Sequence, residues 1–387
     1  MTRRSNGLWV YNRPDGGAQP APPPAVFHDP TRLSSADYVI YVADPTGQVI
    51  GELTGALESV TWAIDGYGMA TIVIALPAVL ASGRLLRFGN RVAIEFANGL
   101  PVWGGVIDVP RETAAGSVRV QLYEAAYLLG WRLTGDNDTY LDADARPAAN
   151  ILVNLVGAAF RDMSFDVGAA RGGPPVQTEF HYMTLKAAAE QLRSIDADLH
   201  YFFRPRQGAG RRVDFELVVY REQYRDDTRR AVLIQGYNLV EWTALEQGPI
   251  YNEVRVAPAD FLNSDPPAGQ AGAAGVVAGD IDSQQRYGLR QSFVVLPETT
   301  GATAGEQAGA RAAGDIQAYS RPRLRVQGTC LDMSPGRFRD LGIGSGVRIE
   351  AAVPLMLSEA LTIIGMEFHP ATGRLSLVFD DNSGIGE

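Results

Sequence analysis

With 387 residues, 46% of them hydrophobic and 20% charged, the chain has the length for two or three domains and is too apolar for general disorder. Its formal net charge of −10 excludes the broadly basic surface of a nucleic-acid binder, and its single cysteine, Cys330, excludes an intramolecular disulfide framework. Lys186 is the only lysine beside 33 arginines, a bias that speaks of a GC-rich genome and not of chemistry.

Met1–Arg4 is mildly basic, but no apolar stretch of signal-peptide length follows, so no secretory leader is expected. No run of about 18 apolar residues occurs, so no membrane span or stable membrane insertion is expected. Ala18–Pro24 carries Pro20, Pro22, Pro23 and Pro24 and reads as an extended arm over residues 1–36, either a disordered tail or an arm that orders against a partner.

From Asp37 to Glu124 the pattern is β. Tyr38–Ala43 ends in the turn signal Asp44-Pro45-Thr46-Gly47, and Ser59–Asp65 and Met69–Leu76 flank Gly66-Tyr67-Gly68 as a hairpin. Arg91–Phe96 alternates, with Val92, Ile94 and Phe96 on one face; Asn98-Gly99 turns it into Val102–Val109, and Val118, Val120 and Leu122 mark another strand. So many short strands in residues 37–133 predict a small barrel or sandwich.

Over residues 134–230 the period changes. Pro147–Phe160 and Thr184–Ile195 carry helical apolar stripes, and Leu199–Arg204 and Val213–Tyr220 follow as strands around Gln207–Arg212, giving a compact α+β insert. Residues 231–381 return to β. Strands are expected at Ala231–Gln235, Asn238–Trp242, Tyr251–Ala257, Arg286–Leu296, Arg323–Leu331, Val347–Ala352, Leu361–Phe368 and Arg374–Phe379, with a small-residue helix at Ala302–Tyr319. Ala259–Ser283, rich in Ala, Gly and Pro, reads as a flexible loop whose only charges are Asp260, Asp265, Asp280 and Asp282. Of the net charge, −7 falls in residues 231–387. Residues 382–387 form a short tail.

The two β regions repeat each other. Leu86-Arg87-Phe88-Gly89-Asn90-Arg91-Val92-Ala93-Ile94-Glu95 matches Leu341-Gly342-Ile343-Gly344-Ser345-Gly346-Val347-Arg348-Ile349-Glu350 at leucine, glycine, valine, isoleucine and glutamate. Downstream, Gly105 and Pro110 align with Gly365 and Pro370, and Val118, Val120 and Leu122 with Leu375, Leu377 and Phe379. In each copy a turn glycine (Gly89, Gly344) precedes a strand whose valine and isoleucine (Val92 and Ile94, Val347 and Ile349) face inward. The fold class is therefore mainly β, two related β-barrels flanking a small α+β domain.

Catalytic signatures are missing. His28, His181, His200 and His369 sit in no recognisable motif, there is no Gly-x-Ser-x-Gly elbow, and Cys330 lies in an apolar strand pattern without an activating neighbour. No phosphate loop exists, Gly342, Gly344 and Gly346 lie in a barrel loop unlike a dinucleotide turn, and no Cys/His cluster suits zinc. Asp136, Asp138, Asp142 and Asp144 alternate as calcium ligands can, but without an EF-hand's glycine and distal glutamate they read as a solvated linker. Neither a cofactor nor a metal is expected. Trp62, Trp103, Trp131 and Trp242 all fall in apolar patterns and are expected in the core.

The succession of Val102-Trp103-Gly104-Gly105-Val106-Ile107, an α+β insert, Tyr251-Asn252-Glu253-Val254-Arg255-Val256, a helix running into Tyr319-Ser320-Arg321-Pro322, and the Leu341–Glu350 and Ile363–Pro370 strands resembles the baseplate hub, or tail-tip hub, proteins of tailed bacteriophages and related contractile injection systems. The resemblance covers Asp37 to Asp381. It implies a non-enzymatic homotrimer in which two barrels per chain make a pseudo-sixfold ring. Such a ring adapts a sixfold tail tube, or a distal tail protein, to a threefold tip, spike or fibre. It surrounds the path of DNA without binding it specifically. It implies residence at the tail tip or baseplate of a virion assembled in host cytoplasm. Many relatives continue into a peptidase, lysozyme or fibre domain, functions expected here from other proteins. In this frame Asp260, Asp265, Asp280 and Asp282 are expected to face the lumen or a tip partner. A tail-associated cell-wall hydrolase and a receptor- or carbohydrate-binding tail module are the alternatives.

Overall fold

The computed structural model describes residues 37–380 except 76–77, 79–82, 115, 137, 141–143, 168–174, 197, 209–210, 222–223, 227–230, 248–249, 259–275, 297–303, 321–322 and 353–356, together with the short paired strands Thr2–Arg3 and Trp9–Val10. The proline arm Ala18–Pro24 lies outside the described residues. The chain is mainly β. Its first region contributes β1 (Tyr38–Ala43), β2 (Val49–Glu52), β3 (Ala56–Ala63), β4 (Met69–Ala75), β5 (Arg91–Phe96), β6 (Trp103–Ala114) and β7 (Ser117–Glu124). The insert contains a 3-10 turn at Ala125–Trp131, α1 (Ala148–Ala159), β8 (Ser164–Asp166), α2 (Leu185–Ile195), β9 (Leu199–Gly208) and β10 (Arg212–Arg221). The Thr184 hydroxyl caps α2 by accepting from the Ala187 N–H.

The last region starts with β11 (Val232–Ile234) and β12 (Leu239–Gln247). It then makes an excursion through β13 (Glu253–Pro258), β14 (Val276–Gly279), α3 (Ile281–Tyr287), β15 (Gln291–Leu296) and α4 (Ala304–Tyr319). It returns with β16 (Arg323–Cys330), β17 (Ser345–Ala351), β18 (Leu357–His369) and β19 (Arg374–Asp380).

Strand pairing runs without a break through both β regions, in the order β12-β16-β19-β18-β3-β4-β7-β6-β5-β1-β2, with β17 on the other half of β18 and β11 on β17. The two regions meet where β18 pairs antiparallel with β3, Gly365 opposite Ala63 through Phe368 opposite Val60. They also share one core. Val92, Ile94, Trp103, Ile72 and Leu122 from the first region pack in the same apolar cluster as Val347, Ile349, Ile363, Phe368 and Phe379 from the second. A second cluster joins the insert to the outer face of β1, β5 and β6 through Tyr41, Ala43, Ala93 and Val106. That double covering explains why Arg91–Phe96, expected to alternate, is buried from Val92 to Phe96.

Three expectations are corrected. Tyr251–Val256 does not join the large sheet. Its strand β13 is the centre of a separate three-stranded sheet, β14-β13-β15, on which α4 packs through Ala308 and Ala312. Buried Asn252 organises this excursion, donating to Gly288 O (2.7 Å) and accepting from Arg290 N (2.7 Å). Second, part of the expected flexible loop is ordered as β14 and the start of α3, and Arg286 belongs to α3, because Asp280 caps that helix by accepting from Ser283 N (3.0 Å). Third, Trp131 is no core residue. It is 37% exposed and stacks at 5.1 Å on Phe88, itself 59% exposed.

Candidate assembly interface

The duplication goes deeper than sequence. The first copy is arranged β3-β4-β7-β6-β5-β1 across the sheet, and the second β12-β16-β19-β18-β17-β11. Taken along the chain, β1, β3, β4, β5, β6 and β7 correspond in order to β11, β12, β16, β17, β18 and β19. Among the described elements of the two β regions, β2 and the excursion lack a counterpart, and the insert between the copies occurs once. The copies diverge at one end, where β1 runs antiparallel to β5 and β11 parallel to β17.

Local geometry repeats with the order. Gly89 and Gly344 both take positive φ, +80° and +75°, which glycine adopts without penalty. Gly89 N donates to Ile107 O (2.9 Å) and Gly344 N to Ile363 O (2.8 Å). One residue on, Asn90 N donates to Arg87 O (3.2 Å) and Ser345 N to Gly342 O (3.1 Å). Val92, Ile94, Val347 and Ile349 are all fully buried in the shared core. Irregularities also coincide: β3–β4 slips between Leu57 and Ser59 and β12–β16 between Leu239 and Glu241; β6–β7 slips after Ile107 and β18–β19 after Ile363.

Strand register corrects one part of the sequence alignment. Val92 lies opposite Gly105 and Val347 opposite Leu361, so the counterpart of Gly105 is Leu361 and not Gly365. Ile107 likewise corresponds to Ile363, since they lie opposite Leu122 and Phe379. The match of Pro110 with Pro370 falls with that of Gly105, because Arg111 already corresponds to Met366. The alignment of Val118, Val120 and Leu122 with Leu375, Leu377 and Phe379 agrees with the register.

The insert is tied to both copies by half-buried polar groups, with Glu216 the buried member. On the first copy, Asp65 accepts from Tyr201 N (2.9 Å) and pairs with His200 Nδ1 (2.7 Å) and Arg193 (2.9 Å). Toward the second, Arg204 binds Glu216 (2.6 Å) and donates to the Tyr224 hydroxyl (2.8 Å), while Tyr224 N donates to Gly344 O (2.9 Å). Glu216 is 5% exposed and also meets Arg206 at 3.3 Å. The insert is therefore hydrogen-bonded through Tyr224 to the repeat turn itself.

Glu124, at the end of β7, is 2% exposed and accepts from Gly68 N (2.7 Å). Burial pushes its carboxyl up to about 8 against the pull of the Gly68 and Ala63 backbone N–H groups. The native state then holds a proton that the unfolded chain releases above about pH 4.5, so stability falls as pH rises from there to about 8. Glu124→Gln is expected to flatten this slope, which approaches ~1.4 kcal/mol per pH unit for one proton. Urea melts of both proteins at pH 5 and pH 8.5 check it; parallel losses in the two would refute it.

The other singled-out groups are accounted for locally. Asp260 and Asp265 lie outside the described residues, Asp280 is the α3 cap, and Asp282 is exposed in its first turn, so the four acids form no described cluster. His28 is also outside the described residues. His181 contacts Asp136 O (2.9 Å), and His369 pairs with Glu367 (3.2 Å) at the surface. Burial pushes the Cys330 thiol up to about 12, away from nucleophilic use. Asp138 accepts from Gly135 N (2.6 Å) and Asp144 meets Arg146 at 3.6 Å. Among the described residues no group of three or more His, Cys, Asp or Glu could hold a metal ion, and no helix is long and apolar enough to cross a membrane. The correspondence of β3 with β12 and of β4 with β16 escaped sequence reading, because identities there are sparse: Leu57, Thr61 and Thr71 recur as Leu239, Thr243 and Thr329, but Val60 and Trp62 fall on Trp242 and Ala244.

No family model and no curated protein matches the chain. Solved structures do share its fold. The 43 kDa tail protein of prophage MuSo2 from Shewanella oneidensis is 13% identical with a TM-score of 0.59, covering 90% of this chain and 99% of that one. Prophage tail protein gp18 from Listeria monocytogenes is 14% identical with a TM-score of 0.58, covering 89% and 94%. A tail protein from Neisseria meningitidis is 12% identical with a TM-score of 0.57, covering 89% and 96%.

Proposed function

We propose, from this shared fold, that the chain is a non-enzymatic structural component of a phage tail, the hub at its tip or baseplate. Three chains, each with two copies of the six-strand unit, supply six near-equivalent positions around one axis, and the two copies are the two barrels of that ring. Such a ring joins a sixfold tube or distal tail protein on one side to a threefold tip, spike or fibre on the other. DNA passes through it unbound, in a virion assembled in host cytoplasm. The observation that carries the reading is the duplication itself, repeated in strand order, turn hydrogen bonds and strand irregularities. The −7 charge of residues 231–387, Asp260, Asp265, Asp280 and Asp282 among them, suits a wall that repels phosphate. Mass photometry of the full chain is expected to find particles of three times the 41.7 kDa chain, alone or on addition of tube protein. A chain that stays monomeric and never joins tube or tip proteins overturns the proposal.

A further inference from the structure

Inside the chain, one edge of the first copy meets one edge of the second: β3 pairs with the half of β18 that follows its irregularity. Because the copies are equivalent, each of these edges has a twin. The twin of β3 is β12, whose one strand partner among the described residues is β16. The twin of the second half of β18 is the second half of β6. That half pairs with β7 on one side, and β5 covers β6 only from Trp103 to Val106 on the other. Among the described residues, one chain thus uses one edge of each kind and leaves one edge of each kind open.

We propose that β12 of one subunit pairs antiparallel with the second half of β6 of the next, copying between chains the β3–β18 seam found within one. The proposal rests on the ring reading above and names its contact. Registers fix the partners. Matching the irregularities at Leu57 and Leu239 makes Thr61 equivalent to Thr243. Matching Val120 with Leu377 makes Arg111 equivalent to Met366 and Glu112 to Glu367. Thr61 lies opposite Glu367 in the intrachain seam, so Thr243 lies opposite Glu112 between subunits. The faces of β3 and β12 agree: Trp242 and Ala244 pack against the shared core, as Val60 and Trp62 do, while Glu241 and Thr243 are exposed. An open strand edge is a template for another chain. Two different edges meeting head to tail give a ring where the rotation closes, and here the rotation is set by the one that already relates the two copies.

The test is a cysteine pair, Thr243→Cys with Glu112→Cys, in the full chain under mild oxidation, read on non-reducing gels beside mass photometry. Directly opposed strand residues lie within disulfide reach. Covalent dimer and trimer bands are expected from the double variant and from neither single variant. Shifting the pair by two residues, Glu241→Cys with Glu112→Cys, is expected to weaken the bands severalfold. A native trimer that gives no covalent bands, or gives them equally from the shifted pair, overturns the seam and leaves the ring standing. A chain monomeric at all concentrations overturns the ring and the seam with it. Covalent species growing past three support the seam and overturn closure. The single variants, which replace one residue on an open edge, serve as folding controls through their circular dichroism and melting.

Discussion

Gly68→Ala is expected to destabilise the protein by at least ~3 kcal/mol and to abolish its soluble yield before any other single methyl group does. A Cβ at Gly68 would lie 1.9 Å from Thr61 O and 3.0 Å from Trp62 Cα, both backbone atoms that cannot swing aside. The β3–β4 turn is held at this point by Met69 N donating to Thr61 Oγ1 (2.6 Å) and by Glu124 N donating to Gly68 O (2.9 Å). Relieving the clash means parting β3 from β4 next to the residues that form the seam with β18. Gly130→Ala is the matched control, since nothing lies within 4 Å of the added methyl, and it is expected to shift stability by no more than ~0.5 kcal/mol. Urea denaturation of the two variants compares them directly; equal stability would show that the turn yields.

Removing the Glu216 carboxylate is expected to have the next largest effect, about 3–5 kcal/mol for Glu216→Ala. The loss comes less from the missing attraction than from what remains. Arg204, itself 22% exposed, keeps a contact with Asp166 at 3.2 Å but loses its shorter partner, the buried Glu216 carboxylate. Replacing both members by apolar residues, Arg204→Met with Glu216→Leu, is expected to recover most of that loss, because no unpaired charge is then buried. Equilibrium unfolding of the single and double variants separates the two contributions. A double variant as weak as Glu216→Ala would mean that the Tyr224 and Asp166 contacts of Arg204 matter more than its pairing with Glu216.

Periodicity read the fold well where one face of an element is wet. The alternation of β7 and the stripes of α1 and α2 are where the sequence places them. It failed where a strand is covered twice, as β5 is by the shared core and by the insert, since burial on both faces erases alternation. The repeat was visible mainly at its turn, because positive φ at Gly89 and Gly344 and the packing of Val92, Ile94, Val347 and Ile349 restrict residue choice there. Along β3 and β12 any residues that alternate correctly suffice, so Val60 and Trp62 correspond to Trp242 and Ala244 without resembling them. The excursion was misread because Tyr251–Val256 has a strand's composition, and composition does not say which sheet a strand joins. Nor could the seam be read, since strand partners distant in sequence leave no local mark.

The excursion between β12 and β16 stands where the first copy has only the tight Gly66-Tyr67-Gly68 turn. In the proposed ring, every second position is therefore ornamented and its neighbours are bare. A partner that grips only the strands common to both copies counts six identical footholds. A partner that grips the excursion counts three. The change of symmetry along the tail would then need no separate adaptor, because one loop, lengthened in one copy and left short in the other, performs it.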